Sequence, residues 1–328
     1  MDKKNILVTG GAGFIGSHLV DRLIKEGHQV VVIDNLSTGR KENLNKKAKF
    51  YKIDICSPKI TEIFKKEKPE VVFHYAAQID VRKSVEDPVG DAKINILGTL
   101  NLIQNFISGN QPSYRSKSTI SKKFIFASSG GAIYGETKVI PTPETHLAKP
   151  ESPYGMAKLI AEQYLAFYKK TQGLDYISLR YANVYGSRQN SKSEAGVVAI
   201  FINKFLEGDC PSIFGDGKQT RDYLYVDDAV EAGLKALDYQ NQSLADSWPV
   251  FNVGTGIETS VNKIYDLISK IGEKKIKPTF ASAKAGDLKR SCLNYSKIKK
   301  ELKWNPSFDL EKGLAETIKW FSECRRWW

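Results

Sequence analysis

The feature that most constrains this chain lies near its start. An apolar run, Ile6–Thr9, breaks into Gly10-Gly11-Ala12-Gly13-Phe14-Ile15-Gly16, and a helical pattern begins at once. Glycines at G-x-x-G-x-x-G spacing meet three physical needs. Gly10 permits a tight strand-to-helix turn, Gly13 lets backbone come close to a bulky ligand, and Gly16 lets the helix sit close on the strand. A helix starting there turns unpaired N–H groups and the positive end of its dipole outward, which suits phosphate.

The pattern continues. Val30–Asp34, Phe50–Asp54, Val71–His74, Phe124–Ser128 and Tyr176–Arg180 are further β-branched or aromatic runs, with amphipathic segments such as Ile15–Glu26 and Ile94–Ile107 between them. Six continuous apolar strands alternating with helices predict an α/β fold, a doubly wound parallel sheet (Rossmann) with a smaller C-terminal substrate-binding lobe. The 328 residues suffice for both parts. Beyond residue 181 the pattern shifts to short strands and Gly-rich turns. We therefore expect a dinucleotide-binding domain over 1–180 and a mainly substrate-binding lobe over 181–328, with some segments returning to the first domain. Ser108–Lys123 is polar and aperiodic and predicts a loop, Lys312–Phe321 predicts a last amphipathic helix, and Arg325–Trp328 predicts a frayed tail.

Several function classes are disfavoured. No run of 18 apolar residues exists, and Met1–Thr9 enters a strand without a signal-peptide pattern, so a cytoplasmic protein with no membrane span is expected. The four cysteines are scattered, with no C-x-x-C pair, and the four histidines show no ligand spacing, so no metal is expected. The net charge of +12 comes from lysines spread along the whole chain. That is a solvated basic surface rather than a nucleic-acid face.

The second run ends in Asp34, about 20 residues beyond the glycine turn, where a carboxylate accepts hydrogen bonds from ribose hydroxyls. The same charge repels the 2′-phosphate of NADP, so NAD is the expected cofactor. Asp54-Ile55 and Ala76-Ala77-Gln78 follow the third and fourth runs, at the strand ends where open α/β sheets bind ligands.

Tyr154 and Lys158 lie four apart in Ser152-Pro153-Tyr154-Gly155-Met156-Ala157-Lys158. A helix starting at Pro153 puts both on one face, and an ammonium beside a phenol stabilises the phenolate, making Tyr154 a general base. Tyr134/Lys138 and Tyr295/Lys299 share the spacing, but only Tyr154 opens a long helix after the fifth strand. That strand ends in Ala127-Ser128-Ser129-Gly130-Gly131-Ala132-Ile133-Tyr134, where a hydroxyl could bind the reacting oxygen.

With Asn95-Ile96-Leu97-Gly98-Thr99, Arg180-Tyr181-Ala182-Asn183-Val184-Tyr185-Gly186, Phe214-Gly215-Asp216-Gly217-Lys218-Gln219-Thr220-Arg221-Asp222-Tyr223 and Ala285-Gly286-Asp287-Leu288, these motifs resemble the UDP-glucose 4-epimerase family of extended short-chain dehydrogenases over nearly the whole chain. The resemblance implies NAD against Gly10, Gly13, Phe14, Ile15, Gly16, Asp34, Asn35, Asp54, Ile55, Ala76, Ala77, Gln78, Asn95, Tyr154 and Lys158. It implies Asn183 and Arg221 at the pyrophosphate of a UDP-sugar, Val197 and Val198 near uracil, Asp287 near the ribose, and Arg290 as a second phosphate candidate. Arg221 has a structural alternative, a pair with Asp222 or Asp228. The chain departs from the family at Gly130, where a catalytic hydroxyl is usual; Ser129 is the substitute and Ser128 the fallback. Gly131 and Ala132 stand where related dehydratases and decarboxylases carry acids.

The implied reaction is epimerisation at C4 through a transient 4-keto sugar. The substrate pair is UDP-glucose and UDP-galactose, extended to UDP-N-acetylglucosamine and UDP-N-acetylgalactosamine if Ser291 leaves room beside C2. Alternatives are a UDP-uronate 4-epimerase, a nucleotide-sugar dehydratase or reductase, or a non-catalytic dinucleotide sensor. The resemblance also implies a homodimer through the helices that begin near Ile94 and Pro153.

Overall fold

The computed structural model describes residues 3–108, 122–191, 196–240, 248–273, 276–283 and 288–324. The strands, in chain order, are β1 (Asn5–Thr9), β2 (Gln29–Asp34), β3 (Lys49–Lys52), β4 (Val71–His74), β5 (Lys123–Ser129), β6 (Asp175–Tyr181), β7 (Asn183–Tyr185), β8 (Ser212–Phe214), β9 (Thr220–Tyr225), β10 (Val250–Val253), β11 (Glu258–Ser260), β12 (Thr279–Ala281) and β13 (Arg290–Ser291). The first six are the expected ones. The α-helices are α1 (Phe14–Lys25), α2 (Ile60–Glu67), α3 (Val81–Glu86), α4 (Pro88–Ala92), α5 (Thr99–Ser108), α6 (Gly130–Tyr134), α7 (Pro153–Gln172), α8 (Val197–Glu207), α9 (Val226–Asp238), α10 (Val261–Ile271), α11 (Ser296–Glu301) and α12 (Leu310–Glu323). A π-helical stretch, Lys93–Gly98, joins α4 to α5.

The large sheet is parallel throughout, with spatial order β10-β6-β5-β4-β1-β2-β3. The chain leaves β1 toward one edge and returns at β4 to build toward the other. The crevice outside the carboxyl ends of β1 and β4 is therefore the switch point at which such sheets bind ligands. Alternate side chains serve opposite faces. Ile6, Val8, Val32 and Phe73 pack with α1 and α9, while Leu7, Val31, Val72 and Phe124 pack with α2, α5 and α7. Burial on both faces explains why these strands read as continuous apolar runs.

The seventh strand, β10, was not among the sequence expectations. It lies beyond residue 181, yet it pairs with β6. Phe251, Val253, Ile298, Leu302 and Trp304 likewise belong to the first core. A separate core gathers Phe201, Phe205, Tyr223, Tyr225, Ile264, Ile268, Leu314 and Phe321 from α8, β9, α10 and α12. Of the expected 108–123 loop, residues 109–121 lie outside the described residues, as do the tail Arg325–Trp328 and Asp287. Among the described residues, no helix is long and apolar enough to cross a membrane.

Candidate active site

The glycine turn is as tight as its spacing requires. Gly10 has φ +71°, and a Cβ there would sit 2.7 Å from the Ala76 nitrogen, in the crevice between β1 and β4. A Cβ at Gly16 would lie 2.2 Å from the Gly10 carbonyl oxygen. Helix α1 has Gly13 as its N-cap, with no side-chain cap and no acid in its first turn. Its first intrahelical bond runs from Ser17 N–H to the Gly13 carbonyl, so the N–H groups of Phe14, Ile15 and Gly16 lack helical acceptors. This is an uncompensated positive helix end, ready for an anion. The Phe14 and Ile15 side chains pack against the second core.

At the end of β2, Asp34 is 7% exposed. One oxygen accepts Ala12 N–H at 3.0 Å and the other accepts Leu36 N–H at 2.8 Å. Burial raises its pKa, and these two N–H groups oppose the rise. A Cβ at Gly39 would come within 2.9 Å of Asp34 Oδ1, so that glycine keeps a cradle open beside the carboxylate. Asn35 donates to Asp54 at 2.7 Å, and Asp54 accepts Cys56 N–H, which with Asn35 helps hold its carboxyl below the usual range. Asp54 lines a groove with Cys56, Ser57, Gly90, Lys93 and Ile94. Ile55 faces inward. Its side chain is 5% exposed, in the second-face core, and a Cβ at Gly98 would touch it, so only its backbone is left for a ligand. An anion-ready helix end, an open cradle at a carboxylate and a crevice at the switch point together fit a dinucleotide with a free ribose diol.

Ala76, Ala77 and Gln78 follow β4. The Asn95 side chain closes this loop, accepting Gln78 N–H at 3.0 Å and donating to the Gln78 carbonyl at 2.9 Å and to Asp91 at 2.8 Å. It is 4% exposed and engaged within the protein, so it shapes the cofactor crevice rather than offering a free donor. His74 bridges Thr9 and Thr99 at 2.8 Å each, and burial pushes it down to about 3, which keeps it neutral.

Helix α7 starts on a Ser152 cap that accepts Gly155 N–H, with Pro153 at its first position. Ser84 accepts the Tyr154 N–H at 3.2 Å. A Cβ at Gly155 would lie 2.2 Å from the Ala132 carbonyl, so α7 packs directly on α6. Tyr154 thereby lies beside the Ser129 hydroxyl. Burial pushes the phenol up to about 12, and the neighbouring Ser129 hydroxyl works against that. Lys158 donates to the Ala127 carbonyl at 2.8 Å and sits 5.8 Å from the Tyr154 ring centre. Burial lowers it to about 8, opposed by Asp91 and Glu162.

The competing candidates are engaged elsewhere. Ser128 donates to Glu162 at 2.6 Å, away from Tyr154. The Tyr134 hydroxyl is buried between Asn252 and Arg180, and Tyr295 packs edge-on against Trp304. At Gly130 a Cβ would strike Leu293 at 2.5 Å, which accounts for the missing hydroxyl there.

Arg221 donates to the Thr220 carbonyl at 2.8 Å and forms no ion pair among the described residues. Asp222 is occupied by Thr255, Gly256 and Leu293, and Asp228 by Ser307 and Phe308. Asn183 is exposed at the start of β7 and Val197 opens α8 half-buried. Two expected substrate residues are engaged within the protein. Val198 is 1% exposed, packed into the second core, because it faces inward on α8. Arg290 is held in a two-pronged pair by Glu258, 2.9 Å from Nε to Oε1, so its fork is already filled. The Ser291 hydroxyl would lie 2.8 Å from a Cβ at Gly131, which places it against the fifth-strand end.

Sequence reasoning missed Asp91, Glu162 and Arg180. Glu162 is fully buried, and Arg180 donates to it at 3.0 and 2.6 Å. Its signal was present, since Tyr154, Lys158 and Glu162 step along α7 at intervals of four.

Residues 6–254 match the profile of the NAD dependent epimerase/dehydratase family. The chain is 48% identical to a Thermotoga maritima UDP-glucose 4-epimerase solved with UDP-glucose, covering 98% of this chain and 99% of that one, with TM-score 0.91. It is 42% identical to the UDP-glucose 4-epimerase of Mycolicibacterium smegmatis over 96% of this chain and 97% of that one. A UDP-N-acetylglucosamine 4-epimerase from Methanobrevibacter ruminantium, solved with UDP-N-acetylmuramic acid, is 36% identical over 98% of this chain and 99% of that one, with TM-score 0.89.

Proposed function

This chain belongs to the NAD-dependent epimerase/dehydratase family, and on that premise we propose that it inverts C4 of a UDP-hexose, interconverting UDP-glucose and UDP-galactose. The observation that carries this reading is the convergence of Ser129, Tyr154 and Lys158 at the end of β5, with Gly131 and Ala132 where an eliminating enzyme needs an acid. NAD supplies the hydride acceptor and donor. The groups that would hold it are the first turn of α1 and Asp34, with Asp54, Ala76, Ala77 and Gln78 around the crevice.

Tyr154 as phenolate removes the proton from the sugar O4 and later returns it. Ser129 steadies the phenol and the reacting oxygen, and Lys158 balances the tyrosinate charge. Arg221, with no carboxylate to satisfy, offers two parallel N–H donors to the diphosphate, and Asn183 stands nearby on β7. While the diphosphate is held, the oxidised sugar stays tethered and presents its other face.

Ser291 extends the reading to the 2-acetamido pair, because a small side chain there leaves space at the strand end. The Methanobrevibacter neighbour is consistent with that extension. Exposed Val89, Leu97, Met156 and Phe167 form an apolar surface on α4, the π-helical stretch and α7, which supports a homodimer built on these helices. Four free cysteines suit a reducing, cytoplasmic setting. The test is to incubate the protein separately with UDP-glucose and UDP-N-acetylglucosamine and identify the products. C4 epimers are expected from each; a dehydrated product, or both sugars unchanged, would overturn the assignment, and turnover of UDP-glucose alone would narrow its range to the unacetylated pair.

A further inference from the structure

Asn252 lies on β10, at the edge of the large sheet, and is fully buried. Its side chain engages its oxygen and both amide hydrogens. Oδ1 accepts the Tyr134 hydroxyl at 2.8 Å. The amide donates to the Thr142 carbonyl at 2.9 Å and to the Asn294 carbonyl at 3.1 Å. The sense of these bonds is fixed from the other end. Arg180 can only donate, so the Tyr134 hydroxyl accepts from its Nη1, at 2.9 Å, and gives its own hydrogen to Asn252. Nε and Nη2 of Arg180 donate to Glu162, one turn beyond Lys158 on α7. A one-way chain of hydrogen bonds therefore runs from α7 to β10 through Glu162, Arg180, Tyr134 and Asn252.

Beyond Asn252 lies the segment that closes on the end of β5. Thr142 N–H donates to the Cys292 carbonyl and Asn294 N–H to the Thr142 carbonyl, each at 2.9 Å. The segment so tied carries Ser291 and Leu293. Their side chains lie where a Cβ at Gly131 or Gly130 would fall, at 2.8 and 2.5 Å. Glycine at both positions lets the segment press on the strand end, next to Ser129. Asp222 ties Leu293 N–H to β9 at 3.2 Å, while Asn252 supplies the tie to the large sheet.

We propose that Asn252 is a positioning residue for the sugar pocket of the proposed epimerase, fixing the Ser291–Leu293 segment against the Gly130-Gly131 end of β5. This rests on the functional reading above. A residue of the same size does not replace it: leucine has no polar atoms, and aspartate has the acceptor without the two donors. The consequence falls on the sugar rather than the nucleotide. Ser291 faces the strand end, whereas Arg221, the proposed diphosphate grip, is held by the pairing of β9 with β11, opposite Thr259.

Asn252→Asp keeps an acceptor for Tyr134 and removes both donors. Calorimetric titration of wild type and variant with UDP-glucose, and with UDP, which lacks the sugar, gives the two affinities. The variant should bind UDP-glucose about tenfold more weakly, the scale of a lost buried hydrogen bond, with UDP affinity unchanged. Tyr134→Phe, which cuts the chain between Arg180 and Asn252, should move the ratio of the two Kd values in the same direction. A folded Asn252→Asp that melts earlier with both affinities intact, or that weakens UDP and UDP-glucose alike, overturns the proposal. Should Asn252→Asp fail to fold, Tyr134→Phe is read by the same ratio. A wild type that binds UDP-glucose but epimerises no UDP-galactose defeats the epimerase reading alone, and the two affinities still decide the role of Asn252. A wild type that binds neither nucleotide overturns both.

Discussion

The two adjacent serines at the end of β5 offer a separation of chemistry from stability. The Ser129 hydroxyl lies on the Tyr154 side of the strand, while Ser128 points to the opposite side and donates to buried Glu162. Ser129→Ala removes a donor at the reacting centre and leaves the core intact. Losing one such preorganised donor costs on the order of 10²–10³ in kcat, with little change in melting temperature. Ser128→Ala removes a hydrogen bond to a charged group, about 1.5–3 kcal/mol. The lower end applies, because Arg180 still covers both Glu162 oxygens. With about 2.1 cal/mol/K of unfolding entropy per residue over 328 residues, that energy lowers Tm by about 2 °C. The assays are steady-state turnover of UDP-galactose and thermal unfolding followed by circular dichroism, on both variants in the same buffer. Normal turnover by Ser129→Ala together with a collapse of turnover in Ser128→Ala would refute the assignment of the hydroxyl.

Tyr154→Phe should fold normally yet lose on the order of 10²–10⁴ in turnover, since only the phenolic oxygen is gone; near-wild-type turnover would place the proton transfer on another group. In wild type the rate should climb as pH rises through the Lys158 value, about 8, where the pair loses its first proton, and a profile flat from pH 6 to 9 would contradict the pairing. Ser291→Tyr should abolish turnover of the acetylated sugars by steric overlap and spare the unacetylated pair, read as kcat/KM for each; equal losses on both would place Ser291 outside the C2 pocket. Lys123, whose ammonium reaches the Ala236, Leu237 and Tyr239 carbonyls at the end of α9, should be structural. Lys123→Met is expected to cost about 1–3 kcal/mol in thermal unfolding with kcat unchanged.

Strands buried on both faces announce themselves as apolar runs, and the glycine turn fixes its own geometry, so β1 to β6, α1 and α7 were legible in the sequence. The edge strand β10 was not, because Val250–Val253 is short and follows a stretch that reads as a separate lobe. Tyr154 and Lys158 were legible because local spacing determines their shared face. The choice between Ser128 and Ser129 was not, since it depends on which face of β5 meets Glu162. The protein contacts of Arg290 and Val198 were hidden for the same kind of reason. A sequence shows the guanidinium and the methyl groups, but not that Glu258 fills the fork or that α8 turns Val198 inward.

The return of β10 to the large sheet has a consequence for how this protein can be cut or rearranged. The chain leaves the first core after Tyr181, is back in it by Ala229, leaves again after Val253, returns by Ile298 and departs after Trp304 for α12. No single peptide bond separates the two cores. Truncation after Tyr181 would strip β6 of its neighbour and uncover the face that α9 protects. The second core is thus sewn through the first rather than hung from it. It cannot be excised or traded as a cassette, and change in either core has to arise by substitution in place.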